Sequence, residues 1–121
     1  MASTFTKIPL SGSTDGRGIH IDDSATAGKT IHTGSATATV TDEIWLYAAN
    51  YDTTARKLTI EWGGATAGGD IIELSIAAES GLVLVVPGLI IKGNATPLVV
   101  AAFAATTSAI NIFGYVNRIT A

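Results

Sequence analysis

From Glu43 to Trp62, EIWLYAANYDTTARKLTIEW, apolar and polar positions change on every second residue, the period of a β-strand. In the later part, Leu58, Ile60 and Trp62 alternate with Lys57, Thr59 and Glu61, which predicts a strand with one dry and one wet face. The earlier part sets Ile44, Leu46 and Ala48 against Trp45, Tyr47 and Ala49. Both of its faces are apolar, so it should be covered twice, once by the core and once by another surface. Asn50 to Ala55, NYDTTA, is rich in turn formers and predicts a hairpin joining the two strands.

The same pattern recurs on either side. Thr4 to Leu10 reads as a first strand with Ile8 and Leu10 inward, and Pro9, which has no N–H to donate, favours a sheet edge. SGSTDGRG (Ser11 to Gly18) is a loop, Ile19-His20-Ile21 a short strand, and Thr30 to Thr33 another. Gly34 to Thr41 has no clear period. Beyond the central segment, the glycine-rich Gly63 to Asp70 turns freely, and Ile72, Leu74 and Ile76 alternate with Glu73 and Ser75. Glu79-Ser80-Gly81 turns into LVLVV, Pro87-Gly88 bends it, and Leu89-Ile90-Ile91 resumes. Leu98 to Ala105 and Ala109 to Val116 complete the set. Leu58, Ile60, Trp62, Leu74, Ile76 and Leu84 are the expected core of the later strands.

About seven to nine short strands with Gly, Pro and Asn turns, and no helix-period segment, point to an all-β fold. The expected architecture is a single-domain β-sandwich, jelly-roll-like, with an extended N-terminal segment. Residues 1–40 would form an N-terminal arm with short strands, and residues 41–121 the sandwich core.

Composition narrows the function. Charged residues are 14% of the 121-residue chain against 47% hydrophobic, where about 25% charged is ordinary for a soluble domain. From Ser80 to Asn117 the one charged residue is Lys92. A small domain has too little interior for that much apolar surface, so part of it is expected at a subunit interface. The net charge of −3, with seven scattered basic residues, argues against nucleic acid as a partner. No cysteine is present, and the N-terminus lacks the apolar stretch of a signal peptide. The most apolar run, Leu82 to Ile91, is too short to cross a bilayer, so no membrane partner is expected.

Candidate chemistry is sparse. His20, Asp22, Asp23 and His32 are residue types that hold divalent ions, but without a ligand spacing the favoured reading is solvated strand ends. Asp42 with Glu43, or Glu61 with Glu73, are carboxylate pairs of the kind glycosidases use, and wet strand faces explain them more simply. No nucleophile elbow or triad spacing is present, and GGATAGG lacks the lysine of a phosphate loop. Trp45, Tyr47, Tyr51 and Trp62 could stack a sugar ring, although packing is the simpler role. The chain is therefore expected to be no enzyme and to need no cofactor or metal.

LYAANYDTTARKLTIEWGG, ESGLVLVVPGLII and VVAAFAATTSAINIFGYVNRIT resemble small structural proteins of tailed bacteriophages. The resemblance covers about residues 44 to 120. It implies a β-rich, cysteine-poor virion protein of the capsid decoration (cement) type, often trimeric, that clamps neighbouring capsid subunits. The expected partners are the major capsid protein and the chain itself, as a homo-oligomer with a trimer favoured. The expected place is the capsid surface, after assembly in the host cytoplasm. A neck or tail component and a carbohydrate-binding sandwich on the virion surface are the alternatives. Ile8, Leu10, Trp45, Tyr47, Phe103, Phe113 and Tyr115 are the expected interface residues. Ile8 and Leu10 would anchor an arm whose removal, over residues 1–14, leaves the domain folded.

Overall fold

A computed structural model describes residues 2–106 and 109–121. Among these residues the chain forms nine strands and no helix: β1 (Thr4–Pro9), β2 (Ile19–His20), β3 (Lys29–Thr33), β4 (Val40–Asn50), β5 (Arg56–Trp62), β6 (Ile71–Ile76), β7 (Val83–Lys92), β8 (Val99–Ala104) and β9 (Ile110–Thr120). They make two antiparallel sheets packed face to face, a β-sandwich. Sheet A has the order β1-β9-β4-β7, with β2 also on β9, and sheet B the order β3-β8-β5-β6. The pairings β1·β9, β3·β8, β4·β7 and β5·β6 are nested about the β5–β6 turn. Rolling such a ribbon so that β4 also meets β9, and β5 meets β8, gives a jelly roll.

The alternation in β4 sets the core. Ile44, Leu46 and Ala48 are fully buried and face sheet B, while Glu43, Trp45, Tyr47 and Ala49 point out and are half-buried. Leu58, Ile60, Ile76, Val100 and Ala102 answer from sheet B. Leu10, Ile19, Ile21 and Ile31 lie in the same cluster, so residues before 41 also build the core. Pro9 ends the edge strand β1, where a missing donor costs the sheet nothing.

The segment from Glu43 to Trp62 is not a hairpin. β4 belongs to sheet A and β5 to sheet B, so the link between them crosses from one sheet to the other. Each strand has an apolar face, and stacking those faces buries more than edge pairing would. The crossing is pinned by Asn50, whose Nδ2 donates to the carbonyls of Thr54 and Ile76, and by Arg56, which donates to Asp52 from Nε and a terminal nitrogen. The true hairpin lies one strand later, where β5 and β6 are joined through Gly63 to Asp70.

Three expected faces also differ. Leu84 is 46% exposed, because register shifts in the β4·β7 ladder turn β7 partly over. Trp62 and Leu74 are half-buried and pack on the core from its rim. Thr59 and Glu61, expected on a wet face, are each 2% exposed.

Leu10 is a core residue rather than a surface anchor. It is 1% exposed, and the next residue ties the loop to β3: the Ser11 N–H donates to His32, and Ser11 Oγ accepts from the Thr33 N–H. Ile8 is half-buried and packs against the core, whereas residues 2–7 are all exposed. Deleting residues 1–7 should therefore cost less than deleting 1–14, which adds about 2–5 kcal/mol through the loss of Leu10. Urea unfolding of the two truncations checks this, and equal stabilities would remove Leu10 from the core.

Candidate functional site

The outer face of sheet A carries an aromatic surface. On neighbouring strands Trp45 lies opposite Tyr115 and Tyr47 opposite Phe113, so four rings form two adjacent cross-strand pairs. The Trp45 and Tyr115 rings lie 6.2 Å apart at an interplanar angle of 10°. Lys7 on β1 places its ammonium 4.9 Å from the Tyr115 ring centre, within cation–π range. Next along the same face, Glu43 Oε1 accepts from Trp45 Nε1–H at 2.7 Å and from Asn117 Nδ2–H at 2.9 Å. These two bonds, Trp45's first, hold the Glu43 carboxyl below its ordinary pKa. Gly88 lets the backbone of β7 lie against Trp45, where a Cβ would come within 2.9 Å of the ring. Phe5, Leu84 and Ile90 extend the surface outward and are 70%, 46% and 61% exposed.

β7 is an edge of sheet A, opposite β1, and its exposed groups are large and apolar: Leu84, Leu89 and Ile90, with Leu82 just before it. Edges are normally blunted with charge, and here Lys92 at the far end is the one charged residue of the strand.

Inside the sandwich, three polar groups join the sheets. Asp42 on β4 and Arg118 on β9 are register partners, and Arg118 donates to both carboxylate oxygens at 2.8 Å. His32 on β3 meets Asp42 Oδ2 at 2.7 Å. The Ser11 N–H donates to His32 Nδ1, which leaves the ring proton on Nε2 for Asp42. Burial would raise the Asp42 pKa, but the hydrogen bonds from Arg118 and His32, together with charge attraction, outweigh it and hold the carboxyl low. No buried side-chain polar atom of this network is left without a partner, so its role is to fix one sheet over the other.

The residues singled out by sequence separate in space. Of the seven expected interface residues, Trp45, Tyr47, Phe113 and Tyr115 share the outer face of sheet A. Phe103, opposite Thr59, is on the outer face of sheet B, and Leu10 and Ile8 belong to the core side. His20 is exposed and bonds Asn111, Asp22 pairs with Lys29 at 3.4 Å, and His32 is buried against Asp42. These groups do not converge, and among the described residues no cluster of His, Cys, Asp and Glu is placed to hold a metal ion. Asp42 and Glu43 point to opposite faces of β4. Glu61 and Glu73 share the outer face of sheet B, where Glu73 is paired with Lys57 at 3.2 Å. Tyr51 is exposed in the crossing between the sheets.

Sequence reasoning missed Glu61 as a buried group. The cover over it comes from Ala27 and Gly28, more than thirty positions earlier, and no local pattern announces that contact.

No protein-family model matches the chain, and comparison with curated proteins and with solved structures finds no match.

Proposed function

We propose that this chain is a virion structural protein of the capsid decoration type, which stabilises the head shell by bridging major capsid subunits. The observation that carries the reading is the aromatic outer face of sheet A, continued by exposed Phe5, Leu84 and Ile90. Aromatic groups ringed by apolar residues are the composition of binding surfaces, where a few rings carry most of the energy. A shell presents many equivalent copies of its subunit, so weak contacts through this face would add by multivalency. The apolar edge at β7 supports self-association into a homo-oligomer, a trimer first, because a second chain would cover its exposed Leu84, Leu89 and Ile90. In this reading the chain assembles with the particle in the host cytoplasm and sits on the capsid surface, and it performs no catalysis.

The test uses the full-length protein and purified particles from which it has been stripped. Trp45→Ala with Tyr115→Ala should weaken particle binding roughly 30-fold or more, since truncating central rings costs about 2 kcal/mol or more. Circular dichroism should be unchanged. Binding as tight as that of the parent chain would overturn the assignment of this face. Copy number separates the neck or tail alternative: a decoration protein is present in numbers comparable to the shell subunit, a neck or tail component in a small fixed set.

A carbohydrate-binding reading has one observation in its favour. Trp45 and Tyr115 lie nearly parallel beside Glu43 and Asn117, a flat apolar platform with polar groups at its rim. A glycan array on the isolated protein distinguishes the two, since a decoration protein gives no specific signal.

A further inference from the structure

On the opposite sheet, Glu61 combines burial with an unanswered oxygen. It is 2% exposed on the outer face of β5. Its Oε1 accepts from the Gly28 N–H at 2.8 Å, while its Oε2 is buried with no hydrogen-bond donor. Leaving a buried charged acceptor unpaired is costly, and such groups in folded proteins call for an explanation. The chain's nearby cations are engaged elsewhere: Lys57 with Glu73, Lys29 with Asp22 and Arg56 with Asp52.

Glu61 lines an open cavity of about 190 Å³, together with Ala27, Thr30, Ala65, Val99 and Ala101. The arrangement is built rather than incidental. The Ala104 N–H donates to the Asp23 carbonyl and draws the segment before β3 across the sheet. Gly28 completes the approach, since a Cβ there would sit 2.5 Å from the Ala102 carbonyl oxygen. The backbone can thus reach one carboxylate oxygen while the walls stay small.

The chemistry of an occupant follows from these walls. An anion would be repelled by the carboxylate, and a purely apolar group would leave Oε2 unanswered. A metal ion would need more ligands than one carboxylate, and the other polar side chain lining the cavity is that of Thr30. The volume is below the roughly 300–1,000 Å³ of pockets for drug-sized ligands. A short aliphatic stem ending in a cation fits all of these conditions, with methyl groups against the stem and Oε2 accepting a charge-assisted hydrogen bond.

We propose that this pocket binds an alkylammonium or guanidinium group, toward which the Glu61 side chain turns so that Oε2, closed off in this structure, accepts from it. The source is either a free amine or a Lys or Arg side chain of a partner protein. The site is on the other sheet from the aromatic surface and stands or falls independently of it.

The experiment is an NMR titration of the full chain with n-butylammonium and ethylguanidinium, using n-pentanol and butyrate as uncharged and anionic controls. The cations should shift the Gly28 amide and bind with a dissociation constant of order 1 mM, at least about tenfold tighter than either control. Glu61→Gln should weaken the cations at least about tenfold. Because that variant alters a buried group, Ala65→Leu, on an exposed loop position, serves as a second test: it should block the cavity with Glu61 intact and weaken binding similarly. Blocked peptides with a central Lys or Arg assign the source. Tighter binding than the free cations points to a partner's side chain, and equal or weaker binding to a free amine. Cation binding no tighter than that of pentanol, or unchanged in both variants, overturns the proposal.

Discussion

Arg118→Ala should lower the stability of the fold by about 3 kcal/mol near neutral pH, and the deficit should shrink on acidification. Asp42 is fully buried and accepts two hydrogen bonds from Arg118, and His32 supplies the remaining one. Removing the guanidinium leaves a buried carboxylate with a single neutral donor. Breaking a buried pair in this way costs about 3–5 kcal/mol, and the lower end applies because the Arg118 side chain is 34% exposed, so water can take up part of its role. The sign of the pH dependence follows from Asp42. Burial works to raise its pKa, the bonds from Arg118 and His32 prevail, and the folded value is depressed. A depressed carboxylate contributes stability that is fully present above the unfolded pKa of about 3.9 and is lost as pH falls through the folded pKa. Parent and variant should therefore converge below about pH 4. Urea unfolding followed by tryptophan fluorescence, near neutral pH and in acid, measures both. Equal stability at neutral pH would show that the His32 bond alone holds the carboxylate.

Ile60→Ala should cost about 2–5 kcal/mol. Ile60 is fully buried in β5, between Ile72 on β6 and Ala102 on β8, and its side chain faces sheet A across the sandwich. The substitution removes apolar contact and leaves a cavity that a two-sheet core closes only in part. Leu84→Ala is the matched control, because it removes an aliphatic side chain of the same size class from an exposed position and should stay within about 0.5 kcal/mol. Denaturant midpoints of the two variants decide the matter. A loss below about 0.5 kcal/mol for Ile60 would mean that β5 presents its other face to the core.

The aromatic surface was only partly legible. Strands of alternating pattern present every second residue to one face, and Trp45, Tyr47, Phe113 and Tyr115 stand out as aromatic positions on such faces. Nothing local says that β4 and β9 are neighbours, yet that pairing is what turns four scattered rings into one surface. Leu10 and Glu61 misled for the converse reason. An apolar residue in a Gly/Ser/Thr-rich segment resembles an arm, and a glutamate alternating with isoleucine resembles a wet face, but the first lies in the core between the sheets and a distant segment closes over the second.

What the sequence determined by itself was periodicity and punctuation. The alternation along β4 separates Ile44, Leu46 and Ala48 from Trp45 and Tyr47 on opposite faces, Pro9 marks an edge, and Gly and Pro divide the chain into short strands. These are properties of adjacent residues, and they suffice for an all-β sandwich. Only the tertiary structure decided which strands pair, that the chain crosses between sheets at Asn50 to Ala55, and which outer face is covered. Strand pairing is a choice among many non-local partners with similar backbone hydrogen bonds, and it is settled by which arrangement buries the most apolar surface at once. The register shifts of β7 and the burial of Glu61 and Asp42 follow from that arrangement, because each depends on contacts between segments far apart in the chain.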